Sequence, residues 1–263
     1  MILGPDQIVA CPHCDALLRH GTLRSGNTFR ASIWTNCKRV TPMLRNPPDV
    51  MKCQDCGGYS WLAEAMVVGI VDKENDTACQ VDPSWVAAKR LQEPTEEEYY
   101  EAIRKGLARD ANEERFLRTL AWWRSNDKFR QGVPREADNV RSVSEEWKMN
   151  LRAIVNLLNE EDEKDLFMKA AALPELGEFD AAQQVLGLVS SDTYAPYVSQ
   201  LNSLCEARDT EVRQFQSGSF AKQEHVLRRS SKVKHYQVLS ALKSFVTNSI
   251  NLMNQWVRRI MRS

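Results

Sequence analysis

The chain has 263 residues, 43% of them hydrophobic and 27% charged, ordinary proportions for a globular protein with enough apolar side chain for a real core. Its zero net charge is a cancellation: residues 1–60 hold 7 Lys/Arg and 4 Asp/Glu (+3), residues 61–211 hold 18 and 30 (−12), and residues 212–263 hold 10 and 1 (+9). Abundant aliphatic and aromatic residues exclude chain-wide disorder, and the longest apolar run, Ala65 to Val71, is far short of the ~20 residues that span a bilayer. The N-terminus Met1-Ile2-Leu3-Gly4-Pro5-Asp6 has neither the basic nor the apolar region of a secretory signal, which predicts a cytoplasmic protein.

Seven cysteines are present: Cys11, Cys14, Cys37, Cys53, Cys56, Cys79 and Cys205. Without a secretory signal a disulfide framework is not expected. Four of the seven form two pairs, Cys11-Pro12-His13-Cys14 and Cys53-Gln54-Asp55-Cys56, the second followed by Gly57-Gly58. A two-residue gap lets one tight turn aim both sulfurs at one ion, with backbone N–H groups donating to the thiolates. Glycine after the second cysteine permits the positive φ that closes such a turn. Two turns supply four thiolates, the closed tetrahedral set that structural Zn2+ prefers. Between them, Ser25-Gly26-Asn27 reads as a turn and Thr28 to Trp34 as a short β-like run. Two such knuckles joined by β strands resemble a zinc ribbon over about residues 8–62.

His13 lies inside a knuckle and is expected at the surface, pointing away from the metal. Thioredoxin-like chemistry uses one reactive pair at a helix start rather than two matched pairs. A catalytic zinc keeps an open position, and four cysteines leave none. An iron–sulfur centre is also compatible with four cysteines. Cys37, Cys79 and Cys205 are isolated, and buried or inert thiols are expected there. Arg19, Arg24, Arg30, Lys38 and Arg39 with Phe29 and Trp34 partly meet the pattern of a nucleic-acid surface. The favoured reading places Phe29, Trp34 and Trp61 in a small ribbon core, because a charge of +3 is weak for phosphate binding.

Trp61 to Val71 fits either a strand or a buried helix. Lys73 to Asp76 reads as a turn, and Asp82-Pro83 starts a short helix with Trp85 and Val86 on its apolar side. Thr95 with Glu98 forms a capping box ahead of the stripe Tyr99, Ile103, Leu107. A helix from about Asn112 carries Phe116, Leu117, Leu120 and Trp123. The pair Trp122-Trp123 is a candidate partner-binding hot spot or a core contact. Residues 125–143, including Arg130, read as a polar loop. Ser144 caps a helix with Trp147, Leu151, Ile154, Val155 and Leu158. Glu160, Glu161, Asp162 and Glu163 suit the start of the next helix, which carries Leu166, Phe167, Ala170 and Leu173, or offer an acidic patch to a basic partner. Tyr194 to Cys205 reads as another helix.

Gly177-Glu178-Phe179-Asp180-Ala181-Ala182 resembles the turn between the helices of a tetratricopeptide repeat. No 34-residue repetition accompanies it, so a helical hairpin is expected rather than an array. The tail combines basic residues (Arg228, Arg229, Lys232, Lys234, His235) with an apolar face (Phe245, Ile250, Met253, Trp256, Val257, Ile260), as for a helix that closes a bundle. No phosphate-cradling loop, His-Glu-x-x-His motif or nucleophile triad is present in the sequence, and no catalytic role is expected.

The expected fold is α+β, mostly α: a zinc-ribbon domain over residues 1–72 and a helical, partly tetratricopeptide-like domain over residues 73–263, with a possible sub-boundary at the 125–143 loop. Cys11, Cys14, Cys53 and Cys56, the Trp122-Trp123 helix and Gly177 to Ala182 together resemble bacterial accessory proteins, some of which are immunity proteins that neutralise a toxin of the same cell. That resemblance implies a non-catalytic inhibitor, and the chain's own charge would make its target a basic protein such as a nuclease. The acidic middle of the chain suits such a partner, with Glu160, Glu161, Asp162, Glu163, Trp122 and Arg130 as candidate contacts. The alternative is a nucleic-acid-binding protein that uses the ribbon and the basic tail.

Overall fold

A computed structural model describes residues 1–44, 47–72, 81–130 and 145–216. The predicted turn at Lys73 to Asp76, the Ser144 cap, Cys79, most of the 125–143 loop and the C-terminal helices lie outside those residues. All elements named below fall within one unit, Met1–Phe215.

β1 (Ile2–Ala10) and β2 (Leu17–Ser25) form an antiparallel hairpin whose last pair is Ala10 with Leu17. β7 (Met66–Val71) pairs antiparallel with β1, and β8 (Lys89–Arg90) pairs parallel with β2, so the sheet runs β7-β1-β2-β8. The two long strands lack the usual alternating pattern for a physical reason. Ile8 and Val9 are both fully buried. Ile8 meets Val71 and Ala88 on one face, and Val9 meets Leu18, Met51 and Leu91 on the other. A sheet covered on both faces shows no period of two. The Trp61 to Val71 segment resolves into a 3-10 turn, Leu62–Glu64, and strand β7. Gly69 fits under Trp85, whose ring would stand 2.6 Å from a Cβ placed there. Trp85 belongs to α1 (Pro83–Ala87), which Asp82 caps by accepting from Ser84 N. Val86, expected on the apolar side, is exposed, because a five-residue helix has room for only one inward side chain.

β5 (Val50–Lys52) and β6 (Tyr59–Trp61) form the second hairpin. Between the hairpins, β3 (Ser32–Ile33) pairs with β4 (Arg39–Val40). The predicted run Thr28 to Trp34 is thus a strand only at its end. Phe29 is 77% exposed and contributes nothing to a ribbon core. A returning segment bonds to this insert: Thr35 N donates to Arg213 O at 2.8 Å and Phe215 N to Ile33 O at 2.9 Å.

The helices are α2 (Glu96–Arg104), α3 (Ala111–Ser125), α4 (Asp127–Arg130), α5 (Glu145–Leu157), α6 (Glu163–Ala172), α7 (Phe179–Leu186) and α8 (Ala195–Glu206). Their starts obey capping chemistry. Thr95 and Glu98 form the reciprocal box, Asp110 accepts from Asn112 N and Glu113 N, and Asp162 accepts from Lys164 N. The predicted loop at 125–143 is helical over Asp127–Arg130. Gly177 ends a 3-10 turn in the left-handed region at φ +79°, so that α7 folds back on α6 as a hairpin.

Two cores organise these elements. Val50 and Tyr59 of the second hairpin pack with Tyr99, Tyr100, Leu117 and Leu120, joining the hairpin to α2 and α3 across position 72. Trp122, Trp147, Leu151, Ile154, Phe167, Tyr197, Leu201 and Phe215 join α3, α5, α6 and α8. The architecture is α+β. Among the described residues, no helix is long and apolar enough to cross a membrane.

Candidate metal centre

The two Cys-x-x-Cys motifs occupy the tips of the two hairpins, and the tips repeat one geometry. Cys11 N donates to Ala16 O and Asp15 N to Cys11 O, each at 2.9 Å. Cys53 N donates to Gly58 O and Gly57 N to Cys53 O, again at 2.9 Å. In both, the residue after the second cysteine is left-handed: Gly57 at φ +69° and Asp15 at φ +57°. Aspartate tolerates that region better than most side chains, so the first knuckle closes without glycine. Backbone donors point at sulfur, His13 N to Cys11, Asp55 N to Cys53 and Gly58 N to Cys56, each at 3.4 Å.

Hairpin packing brings the four sulfurs together. The Cys11–Cys56 and Cys14–Cys53 Sγ separations are 3.8 and 3.7 Å, and all four sulfurs lie within 4.8 Å of one another. A disulfide would require about 2.05 Å. Four sulfurs about 2.3 Å from one Zn2+ stand about 3.8 Å apart along each tetrahedral edge, so the donor set fits one metal ion. Cys11 and Cys53 are buried, and Cys14 and Cys56 face solvent.

Electrostatics makes the same demand. Burial raises the Cys53 thiol, but the Cys56 and Asp55 N–H groups outweigh it and bring it to about 7. At Cys14 the Ala16 N–H lowers the pKa, yet the crowding thiols and burial outweigh it and push it to about 12. Thiols this close cannot all ionise unless a cation replaces their protons.

A supporting layer fixes the hairpins to each other and to the helices. His13 Nε2 lies 3.0 Å from Tyr59 O, tying the first knuckle to β6. Gly58 is required by that contact, since a Cβ there would stand 2.5 Å from His13 Cδ2. The Tyr59 hydroxyl donates to Glu101 Oε2 at 2.6 Å, and Lys52 pairs with Glu98 at 2.9 Å, anchoring the second hairpin on α2. Lys89 of β8 pairs with Asp55 inside the second knuckle. Tyr59, Glu101 and Lys89 were not legible as site residues, because their roles depend on contacts 34 and 42 positions away in the chain.

The other predicted contact residues stand apart from this cluster. Trp122 is fully buried, and its indole N–H donates to Glu175 Oε1 at 2.8 Å; it has no surface to offer a partner. The Arg130 side chain is 5% exposed and pairs with Asp127 at 2.6 Å, which corrects its expected place in an open loop. Asp162 caps α6, and Glu163 accepts from Ser190 N, Ser190 Oγ and Ser191 N. Both have structural duties. Glu160 pairs with Lys169 and remains mostly exposed, and Glu161 is exposed. Of the basic residues expected to make a nucleic-acid surface, Arg19, Arg24 and Lys38 pair with Asp6, Asp72 and Asp127, which leaves less free charge for phosphate than the sequence suggested. Cys205 is buried, and burial pushes the Cys37 thiol to about 12. No family model matches this chain, and neither curated proteins nor solved structures match it.

Proposed function

We propose that the four cysteines hold one structural Zn2+ in a zinc ribbon, and that the chain is a non-catalytic protein-binding protein that offers an acidic helical surface to a basic partner. The α6–α7 hairpin is read as tetratricopeptide-like scaffolding for that surface. The observation that carries the reading is the charge of the helical part. Residues 145–216 hold 14 acidic and 6 basic side chains, a net −8. Glu160, Glu161, Asp162, Asp192 and Glu206 are exposed. Such a surface accelerates encounter with a basic protein and selects against acidic ones. A nuclease whose nucleic-acid groove is occluded would be a fitting partner, as in immunity-type inhibition.

The test uses Glu160→Lys with Glu161→Lys, because these two acids carry no capping role. The full chain is used to capture partners from the native cell after nuclease treatment, at moderate salt. A basic protein recovered in stoichiometric amount, and lost with the double variant, is the expected result. A partner retained undiminished by the charge-reversed protein would refute the acidic surface. Recovery of nucleic acid alone would replace the reading with the nucleic-acid-binding alternative.

A further inference from the structure

Away from the cysteines, three basic side chains converge on one carboxylate. Asp127 accepts from Lys38 at 2.8 Å, Arg124 at 3.1 Å and Arg130 at 2.6 Å. The junction of α3 with α4 supplies Trp123, Arg124, Asp127 and Arg130. A tight turn of the insert supplies Trp34, Asn36 and Lys38. In that turn Trp34 N donates to Lys38 O at 3.0 Å and Cys37 N to Trp34 O at 2.8 Å. The Trp123 indole donates to Asn36 O at 2.8 Å, which fastens the turn to α3. The Arg130 guanidinium lies 5.9 Å from the centre of the Trp34 ring and also donates to Trp123 O.

Neither the charge nor the hydrogen bonding of this cluster balances. Among the described residues, three cations paired with one carboxylate leave a surplus of two positive charges. Asp49 acts on Tyr99 alongside Arg124 and Asp127, and among the described residues the ion pairs of Lys38, Arg124 and Arg130 go to Asp127 and not to it. The Arg130 side chain is 95% buried by its 5% exposure, yet its Nε and Nη1 find no acceptor among the described residues. Asn36 is fully buried, and its Nδ2 also finds none among the described residues. All three unmet groups are donors. Buried donors without acceptors are costly, and a buried cation without its counter-charge more so. A water molecule would accept from such donors but would leave the charge unmet.

We infer that Lys38, Arg124 and Arg130, with Asn36, form a binding site for a phosphate group. Its charge of about −1.5 to −2 at neutral pH matches the surplus, and its oxygens are acceptors for the unmet donors. The site is independent of the acidic surface and of the cysteine cluster.

The test is calorimetric titration of the full, metal-loaded chain with inorganic phosphate, against chloride at matched ionic strength. Saturable binding of one phosphate per chain is expected. Arg124→Gln and Lys38→Met each remove one charge-assisted hydrogen bond from partly exposed side chains, and each weakens binding about tenfold. Circular dichroism and metal content check that both variants remain folded. Absence of saturable binding would mean that the surplus charge is met within the chain, and would overturn the inference. Binding undiminished in either variant would place the phosphate elsewhere, and would overturn it as well.

Discussion

Replacing Trp122 with phenylalanine separates a core role from a partner-binding one. The side chain is fully buried among Trp147, Leu151 and Ile154, and its N–H is bonded to Glu175 Oε1 at 2.8 Å. Phenylalanine deletes that donor and part of the ring. The lost bond to a carboxyl group is worth about 1.5–3 kcal/mol. The smaller ring leaves a cavity that adds about 1 kcal/mol, well below the ~3–5 kcal/mol of a full truncation to alanine. The expected destabilisation is thus ~3 kcal/mol, a large fraction of the ~5–15 kcal/mol that holds a typical protein folded. Urea denaturation followed by tryptophan fluorescence and circular dichroism should show a lower midpoint with an unchanged slope. Glu175→Leu, which removes the acceptor, combined with Trp122→Phe should be non-additive by about 1 kcal/mol or more, because the two side chains share one bond. A change below about 0.5 kcal/mol, the range of ordinary surface substitutions, would refute the burial argument.

Other perturbations test the supporting layer of the metal site. Gly58→Ala should destabilise by about 1–3 kcal/mol because it collides with the His13 ring; His13→Ala in the same chain should recover part of the loss in a melting experiment. Gly57→Ala should cost about 1 kcal/mol at its positive φ, whereas Asp15→Gly at the matching position should be tolerated, as read by midpoint shifts in the same denaturant series. The Glu101 carboxyl is held at about 2 by Lys105 first and by the Tyr59 hydroxyl next. A depressed folded-state pKa stabilises above the unfolded value of about 4.3 and loses that contribution as pH falls towards the folded value. Glu101→Gln should therefore lower the melting temperature at pH 7, with the deficit shrinking towards pH 2. Strong chelation should unfold the hairpin tips first, seen as loss of amide-exchange protection around residues 11–16 and 53–58, since structural zinc supplies folding energy.

The pattern of what was legible follows from range. The Cys-x-x-Cys pairs, the Thr95–Glu98 box, the acidic start of α6 and the Gly177 turn are local devices whose chemistry acts within a few residues, and the sequence displays them directly. β1 and β2 were not legible, because Ile8 and Val9 face two different covered surfaces and so break the alternation that marks a half-exposed strand. Phe29 looked like core but stands exposed at a turn held by Ala31 N to Thr28 O. Trp122 and Trp123 could not be sorted, since adjacent helix positions differ only in which neighbour they meet; the structure gives one to Glu175 and the other to Asn36. Arg130 read as loop although Asp127 is its neighbour one turn back on α4, because four helical residues show no period and its other partner, Trp34, arrives only when the insert docks.

The most direct test of the metal centre is X-ray absorption at the metal edge, joined to elemental analysis, on protein purified without added metal. One zinc per chain with four sulfur neighbours at about 2.3 Å is the predicted result, and it should vanish with Cys11→Ser combined with Cys53→Ser. Nitrogen or oxygen neighbours in place of sulfur, an iron–sulfur spectrum, or metal well below one per chain would contradict a closed four-cysteine zinc site.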